Sequence, residues 1–145
     1  MAALGKTAAI TLLTGIPGSG KSLRVVDYMK KAIDAGELLF VCNFDGTLRL
    51  PHVKFEDARK WQDLPAGAVL VVDEAQDFFR ARRGGEPPSY ILAMERIRKM
   101  GVRLVLITQQ PDYLDTHLRG LVGLHEHLLR VDGAEESHIF RSNEV

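Results

Sequence analysis

Cysteine is almost missing from this chain. Cys42 is the only one among 145 residues, which excludes an internal disulfide and fits a reducing compartment. An excess of either charge is missing as well. Lys plus Arg and Asp plus Glu number 19 each, so nothing in the bulk charge draws the chain to nucleic acid or to an anionic membrane. Any such contact needs a local patch or a neighbouring subunit. No apolar run approaches the roughly 20 residues that span a bilayer. The N-terminal "MAALGKTAAITLLTG" carries Lys6 and a short apolar run, yet no small-residue cleavage site ends it. It reads as a strand rather than a secretory signal. Repeats and low-complexity tracts are absent too. Aromatic residues make up 7%, and Trp61, Phe55, Phe78 and Phe79 read as packing groups rather than base-stacking platforms.

What is present is an ordinary globular composition, 46% hydrophobic and 26% charged, at the length of one domain, residues 1–145. Four apolar runs stand out: Ala8–Thr14, Leu38–Cys42, Ala68–Asp73 and Arg103–Thr108. They are continuous rather than alternating, as in parallel strands covered on both faces. Helical spacing fills the gaps. Leu23, Val26, Met29 and Ile33 recur along one pattern that stops at Gly36, and Tyr90, Met94 and Ile97 along another that stops at Gly101. Strand–helix alternation predicts a layered α/β fold with a mostly parallel sheet. Turns are expected at Asp45-Gly46 and before the third strand at Pro65-Ala66-Gly67. Beyond Gly120, "GLHEHLLRVDG" and "SHIFRSNEV" read as two short strands joined at Asp132-Gly133.

Between the first strand and the first helix stands "GIPGSGKS", Gly15 to Ser22, a full match to G-x-x-x-x-G-K-[ST]. The glycines permit backbone angles that turn successive N–H groups toward phosphate oxygens, and the following helix offers its positive end to the same anion. Gly15, Ile16, Pro17, Gly18, Ser19, Gly20, Lys21, Ser22 and Leu23 form the expected nucleotide-binding stretch. Lys21 would reach the β- and γ-phosphates, and the Ser22 hydroxyl would ligate Mg2+. A tight turn carrying a surface lysine is the plainer reading of the same loop. The third strand ends in Asp73-Glu74. Asp73 is placed to hold Mg2+ through its water shell, and Glu74 to polarise the attacking water as a general base. That glutamate points to ATP hydrolysis rather than phosphoryl transfer to a nucleoside, for which "RARR" would be the only lid-like segment. The fourth strand ends in Thr108-Gln109, and either could sense the γ-phosphate, with Gln109 favoured.

Other groups have plain and functional readings side by side. Arg98, in "ERIRKMG", either complements a helix dipole or acts on a neighbouring subunit's nucleotide as an arginine finger, with Arg119 and Arg130 as rivals. Arg80, Arg82 and Arg83 either lie on a solvated loop or contact DNA phosphates. His125 and His127 are spaced to share one strand face, but a zinc site lacks a third ligand.

"LTGIPGSGKS", "LLFVCNFDGT", "VLVVDEAQDFF", "RKMGVRLVLITQQP" and "LVGLHEHLLR" resemble, in this order and over nearly the whole chain, the N-terminal domain of the Zot (zonula occludens toxin) family, assembly ATPases of filamentous phages. The resemblance implies a three-layer α/β/α P-loop NTPase fold of the additional-strand, catalytic-glutamate type. It implies an ATP- and Mg2+-dependent motor that extrudes phage DNA across the bacterial inner membrane. It also implies a ring-shaped homo-oligomer, other phage assembly proteins at that membrane as partners, and contact with phage single-stranded DNA. Carried over by position, Lys21, Ser22, Asp73, Glu74 and Gln109 keep their nucleotide roles. Arg98 matches an arginine that in the family precedes "H-x-G", where this chain has Lys99 in place of the histidine. The family's membrane segment is missing from this sequence, so the expected location is a cytoplasmic domain anchored through a segment outside it. The rival functions are another additional-strand motor, such as a DNA translocase or packaging protein, and a nucleotide-gated scaffold that hydrolyses little alone.

Overall fold

The computed structural model describes residues 7–44, 47–130, 137–143 and 145. The turns expected at Asp45-Gly46 and Asp132-Gly133, and Lys6, lie outside the described residues. β1 (Ile10–Thr14) leads into α1 (Lys21–Asp34), then β2 (Leu38–Cys42) and the short edge strand β3 (Val53–Lys54). β4 (Ala68–Val72) follows, with α2 (Gln76–Phe79), α3 (Ser89–Leu92) and α4 (Ile97–Met100) after it. β5 (Arg103–Thr108), α5 (Thr116–Leu121), β6 (Leu124–Arg130) and β7 (Ser137–Ser142) complete the order.

The strands form one sheet in the order β3-β2-β4-β5-β1-β6-β7. Every neighbouring pair is parallel except β6 and β7. The four expected apolar runs become β1, β2, β4 and β5, and the two C-terminal segments become the antiparallel hairpin β6–β7. Helices cover both faces, as continuous apolar strands require. On one face Leu13, Val71, Val105, Ile107 and Leu128 pack on Val25, Met29 and Ala32 of α1. On the other, Leu12, Leu70, Leu104 and Leu106 meet Trp61, Phe79, Ile91, Met94, Ile97 and Leu118. Trp61 also donates its indole N–H to the Tyr90 carbonyl at 2.8 Å, which satisfies the one polar atom of a buried ring.

Two expectations about helices change. The buried stripe of α1 is Val25, Met29 and Ala32, so Leu23 faces out at 80% exposure and belongs to no core. The pattern over residues 89–101 is not one helix. Tight 3-10 geometry over Ala93–Arg96 separates α3 from α4, with Arg96 at φ −112° and ψ 10°. The break lets Ile91, Met94 and Ile97 all reach the sheet. Gly101 then turns the chain into β5 at φ 72°, where a Cβ would lie 3.1 Å from that of Ala66. The turn segment before β4 is fastened there, because Gly67 N–H donates to the Gly101 carbonyl at 2.8 Å.

Candidate functional site: a phosphate loop beside a carboxylate strand end

The carboxyl ends of β1, β4 and β5 meet at one edge, and β5 lies between the other two. From β1 the chain enters a loop in which Gly15, Gly18 and Gly20 all have positive φ, 148°, 82° and 97°. Gly15 N–H donates to the Gln109 carbonyl at 3.2 Å, and Ser19 N–H to that of Ile16 at 3.1 Å. The first contact ties the loop to the end of β5. A Cβ on Gly15 would stand 2.6 Å from Ser19 Oγ and 2.8 Å from the Leu128 carbonyl oxygen. Glycine is therefore demanded by β6 as well as by backbone freedom.

The loop suits an anion. Gly20 precedes α1 in left-handed conformation and offers no side chain to cap it, and the first N–H groups of a helix are those that suit an anion. Ser19 is 1% exposed, and its hydroxyl has no hydrogen-bond partner among the described residues. A buried hydroxyl left so costs about 1–3 kcal/mol, which a phosphate oxygen would recover. Lys21 stands in the field of Glu74 and Asp73. Burial pulls its ammonium below the ordinary lysine range, and the two carboxylates oppose that pull. Cation and carboxylates thus share one cluster. Ser22 and Asp73 carry the kind of hard oxygen donor that Mg2+ would take.

The carboxylate corner is tightly built. Asp73 N–H donates to the Cys42 carbonyl at 3.1 Å, and Asp73 Oδ1 accepts the Glu74 N–H at 2.9 Å. Glu74 has φ 46°, an uncommon conformation for a residue with a long side chain. Asn43, also at positive φ, donates its side-chain amide to the Asp73 carbonyl at 3.1 Å and to Asp77 Oδ2 at 2.9 Å. Gln76 donates to Glu74 Oε2 at 2.6 Å, and Thr108 donates to Gln76 Oε1 at 2.8 Å. Between the two sensor candidates, Thr108 is the one wired to Glu74, through Gln76. Gln109 holds the phosphate loop with its carbonyl.

The arginines fall elsewhere. Arg98, on α4, donates to the Thr7 carbonyl at 3.4 Å, at the amino end of β1. Five residues of strand, about 17 Å, separate it from its own phosphate loop. Arg119 donates to Thr116 Oγ1 at 3.1 Å. The Arg130 side chain lies outside the described residues. In the loop after α2, Arg82 bonds Asp115 with two nitrogens and the Gly85 carbonyl at 2.8 Å, while Arg80 and Arg83 are exposed. Asp115 in turn caps α5 by accepting from His117 N–H at 2.8 Å, so Arg82 is structural. His125 Nε2 and His127 Nδ1 lie 2.6 Å and 2.7 Å from Thr14 Oγ1. Both imidazoles converge on one hydroxyl just before the phosphate loop.

Sequence reasoning passed over Gln76 and Glu126. Glu126 is fully buried on β6 and accepts from Arg24 Nε and Nη2 at 2.9 Å each, from the Tyr28 hydroxyl at 2.7 Å and from Arg141 Nε at 2.8 Å. An acid within the β6 segment LHEHLLR, with Arg24 on α1 and Arg141 on β7 to meet it, was the available signal.

A phosphate loop after β1, a carboxylate pair after β4 and an inserted β5 between them define the additional-strand class of P-loop NTPase folds. Within that class, residues 49–140 match the family described as Zonular occludens toxin (Zot), and the chain belongs to it. It is 36% identical over 144 residues to ORF301 of Pseudomonas phage Pf3, a protein that carries the name of an assembly protein. That match covers 94% of this chain and 48% of the Pf3 protein, so the chain spans about half the length of this relative. The N-terminal domain of zonular occludens toxin from Neisseria meningitidis superposes with a TM-score of 0.79 at 30% identity, covering 95% of this chain and 85% of that one. The genome packaging NTPase B204 of Sulfolobus turreted icosahedral virus 2, in complex with ATP-gammaS, shares the fold at TM-score 0.66 and 20% identity, over 86% of this chain and 76% of its own.

Proposed function

We propose that this domain binds ATP with Mg2+ and hydrolyses it to drive the assembly and extrusion of a filamentous phage. The observation that carries the reading is the convergence of Lys21, Asp73 and Glu74 at one sheet edge beside a loop whose buried Ser19 hydroxyl has no partner among the described residues. The loop N–H groups and the start of α1 hold the phosphates, and Lys21 neutralises charge on the terminal pair. Ser22 and Asp73 would hold Mg2+, which would offset phosphate charge. Glu74 accepts the proton of the attacking water, a role worth about 100- to 10,000-fold in rate.

Motor action belongs to an assembly of copies. Arg98 sits at the edge opposite its own nucleotide, as suits a residue that completes a neighbour's site in a ring. The name of the Pf3 relative supports other phage assembly proteins as partners, and the fold shared with B204 supports work on DNA, here phage single-stranded DNA. The proposed location is the cytoplasmic face of the bacterial inner membrane. No helix among the described residues is long and apolar enough to cross a membrane.

The test is a pair of variants. Lys21→Ala weakens ATP binding by about 10- to 100-fold, and unchanged affinity refutes the phosphate cradle. Glu74→Gln keeps ATP affinity and loses turnover; full turnover removes Glu74 as the base. Specific activity that climbs with protein concentration in the wild-type chain, and no longer does so in Arg98→Ala, assigns the trans arginine.

A further inference from the structure

The group that steers Glu74 comes from its own strand end and from the next strand. A carboxylate only accepts hydrogen bonds, so the Gln76 amide must present its nitrogen to Glu74. That leaves Gln76 Oε1 for Thr108, whose hydroxyl must donate. The chain Thr108 to Gln76 to Glu74, at 2.8 Å and 2.6 Å, therefore has a single polarity. Glu74 has little freedom left. Its N–H is held by Asp73 Oδ1, the next N–H, of Ala75, is held by the Ile107 carbonyl at 2.8 Å, and its carboxylate is turned by Gln76. Thr108 gives a second, independent indication. It is 1% exposed at the end of the apolar strand β5, where valine would match its shape without a hydroxyl to satisfy.

We propose that Gln76 is a positioning residue for hydrolysis: it aims the Glu74 carboxylate at the attacking water, and Thr108 fixes the direction of the Gln76 amide. The proposal rests on the reading of Glu74 as the base. A general base works only within hydrogen-bond reach of the proton it takes, and misplacement by about 1 Å costs up to about 100-fold in rate.

The experiment compares kcat, KM and ATP affinity of the wild-type chain with Gln76→Ala, Thr108→Val, Thr108→Ser and the double variant Gln76→Ala/Thr108→Val. In Gln76→Ala kcat falls about 10- to 100-fold while ATP affinity stays within about twofold of wild type. Thr108→Val falls in the same direction, and Thr108→Ser, which keeps the donor, restores most of the rate. The double variant is no slower than Gln76→Ala, because both changes act through one carboxylate. Wild-type or raised kcat in Gln76→Ala, or losses that multiply in the double variant, overturn the proposal. If Glu74→Gln stops turnover while Gln76→Ala does not, only the positioning role falls. If Glu74→Gln turns over normally, the base assignment falls and takes this proposal with it. A crystal structure of Gln76→Ala tests the point without turnover: several Glu74 side-chain orientations support it, and one unchanged orientation overturns it.

Discussion

Glu126→Gln is the sharpest test of how the nucleotide helix is held to the sheet. Glu126 is 0% exposed, and its two oxygens take four hydrogen bonds, two from Arg24, one from Tyr28 and one from Arg141. Glutamine keeps the shape, removes the charge and turns an NH2 group against a guanidinium N–H. Removing one partner of a buried ion pair costs about 3–5 kcal/mol. Arg24 keeps a second carboxylate, Asp27, at 2.9 Å, which places the expected loss near the lower end, about 3 kcal/mol. Unfolding entropy for a chain of 145 residues is about 0.3 kcal/mol/K, so the melting temperature should fall by about 10 °C. Chemical denaturation followed by circular dichroism measures the free energy directly. Arg141→Ala is the control: that arginine is 58% exposed, and its loss should cost about 1 kcal/mol or less. A Glu126→Gln loss no larger than that of Arg141→Ala would refute the buried-pair account.

The same residue makes a pH prediction. Burial pushes the Glu126 carboxyl upward, but hydrogen bonds from Arg24 and Tyr28, the charge of Arg24 and the hydrogen bond from Arg141 outweigh it and hold the group below 4.5, its ordinary value. The unfolded chain therefore takes up a proton at a higher pH than the folded one. Its contribution to stability is complete above the unfolded value and is lost as pH falls through the folded one. Wild-type stability should decline below about pH 4.5 more steeply than that of Glu126→Gln, and parallel acid limbs would contradict the assignment.

Two further substitutions probe the loop and the helix that follows it. Gly15→Ala places a methyl group 2.6 Å from Ser19 Oγ and 2.8 Å from the Leu128 carbonyl, so the loop must shift. ATP affinity should drop by at least about tenfold in a titration, and wild-type affinity would show that β6 does not confine the loop. Leu23→Ser alters a side chain that is 80% exposed, and its stability should stay within about 0.5 kcal/mol of wild type. A larger loss would return Leu23 to the core stripe of α1.

Much of the fold was legible because its signals are local. A continuous apolar run of five or six residues between glycine-marked turns suits a strand of a parallel sheet covered on both faces, and β2 and β5 begin and end where their runs do. The phosphate loop was legible for the same reason, since the glycines, Lys21 and Ser22 are consecutive. The face of α1 was not. Leu23 and Val25 are both apolar and lie two positions apart, and only the direction of the sheet decides which is covered. The helix over residues 89–101 was also misjudged: the spacing of Tyr90, Met94 and Ile97 suits a continuous α-helix, whereas the buried residues are Ile91, Met94 and Ile97, three apart as a tightened 3-10 turn places them.

The site divides along the same line. Neighbours in sequence announce themselves: Asp73 beside Glu74, Lys21 beside Ser22. What acts on them from a distance does not, because strand order is set by packing across the sheet rather than by order in the chain. β5 inserts between β1 and β4, which delivers Thr108 to the carboxylate corner 32 residues after Gln76. Side chains alternate faces along a strand. Thr108, in register with Thr14, shares its face with Leu106 and with α2, while Gln109 has left the strand and offers a carbonyl to Gly15. The amino ends of the strands are set by the same parallel order. Arg98 lies beside Thr7 there because a helix that enters a parallel strand must end at the amino edge. A single chain therefore separates its phosphate loop from this arginine by the length of a strand.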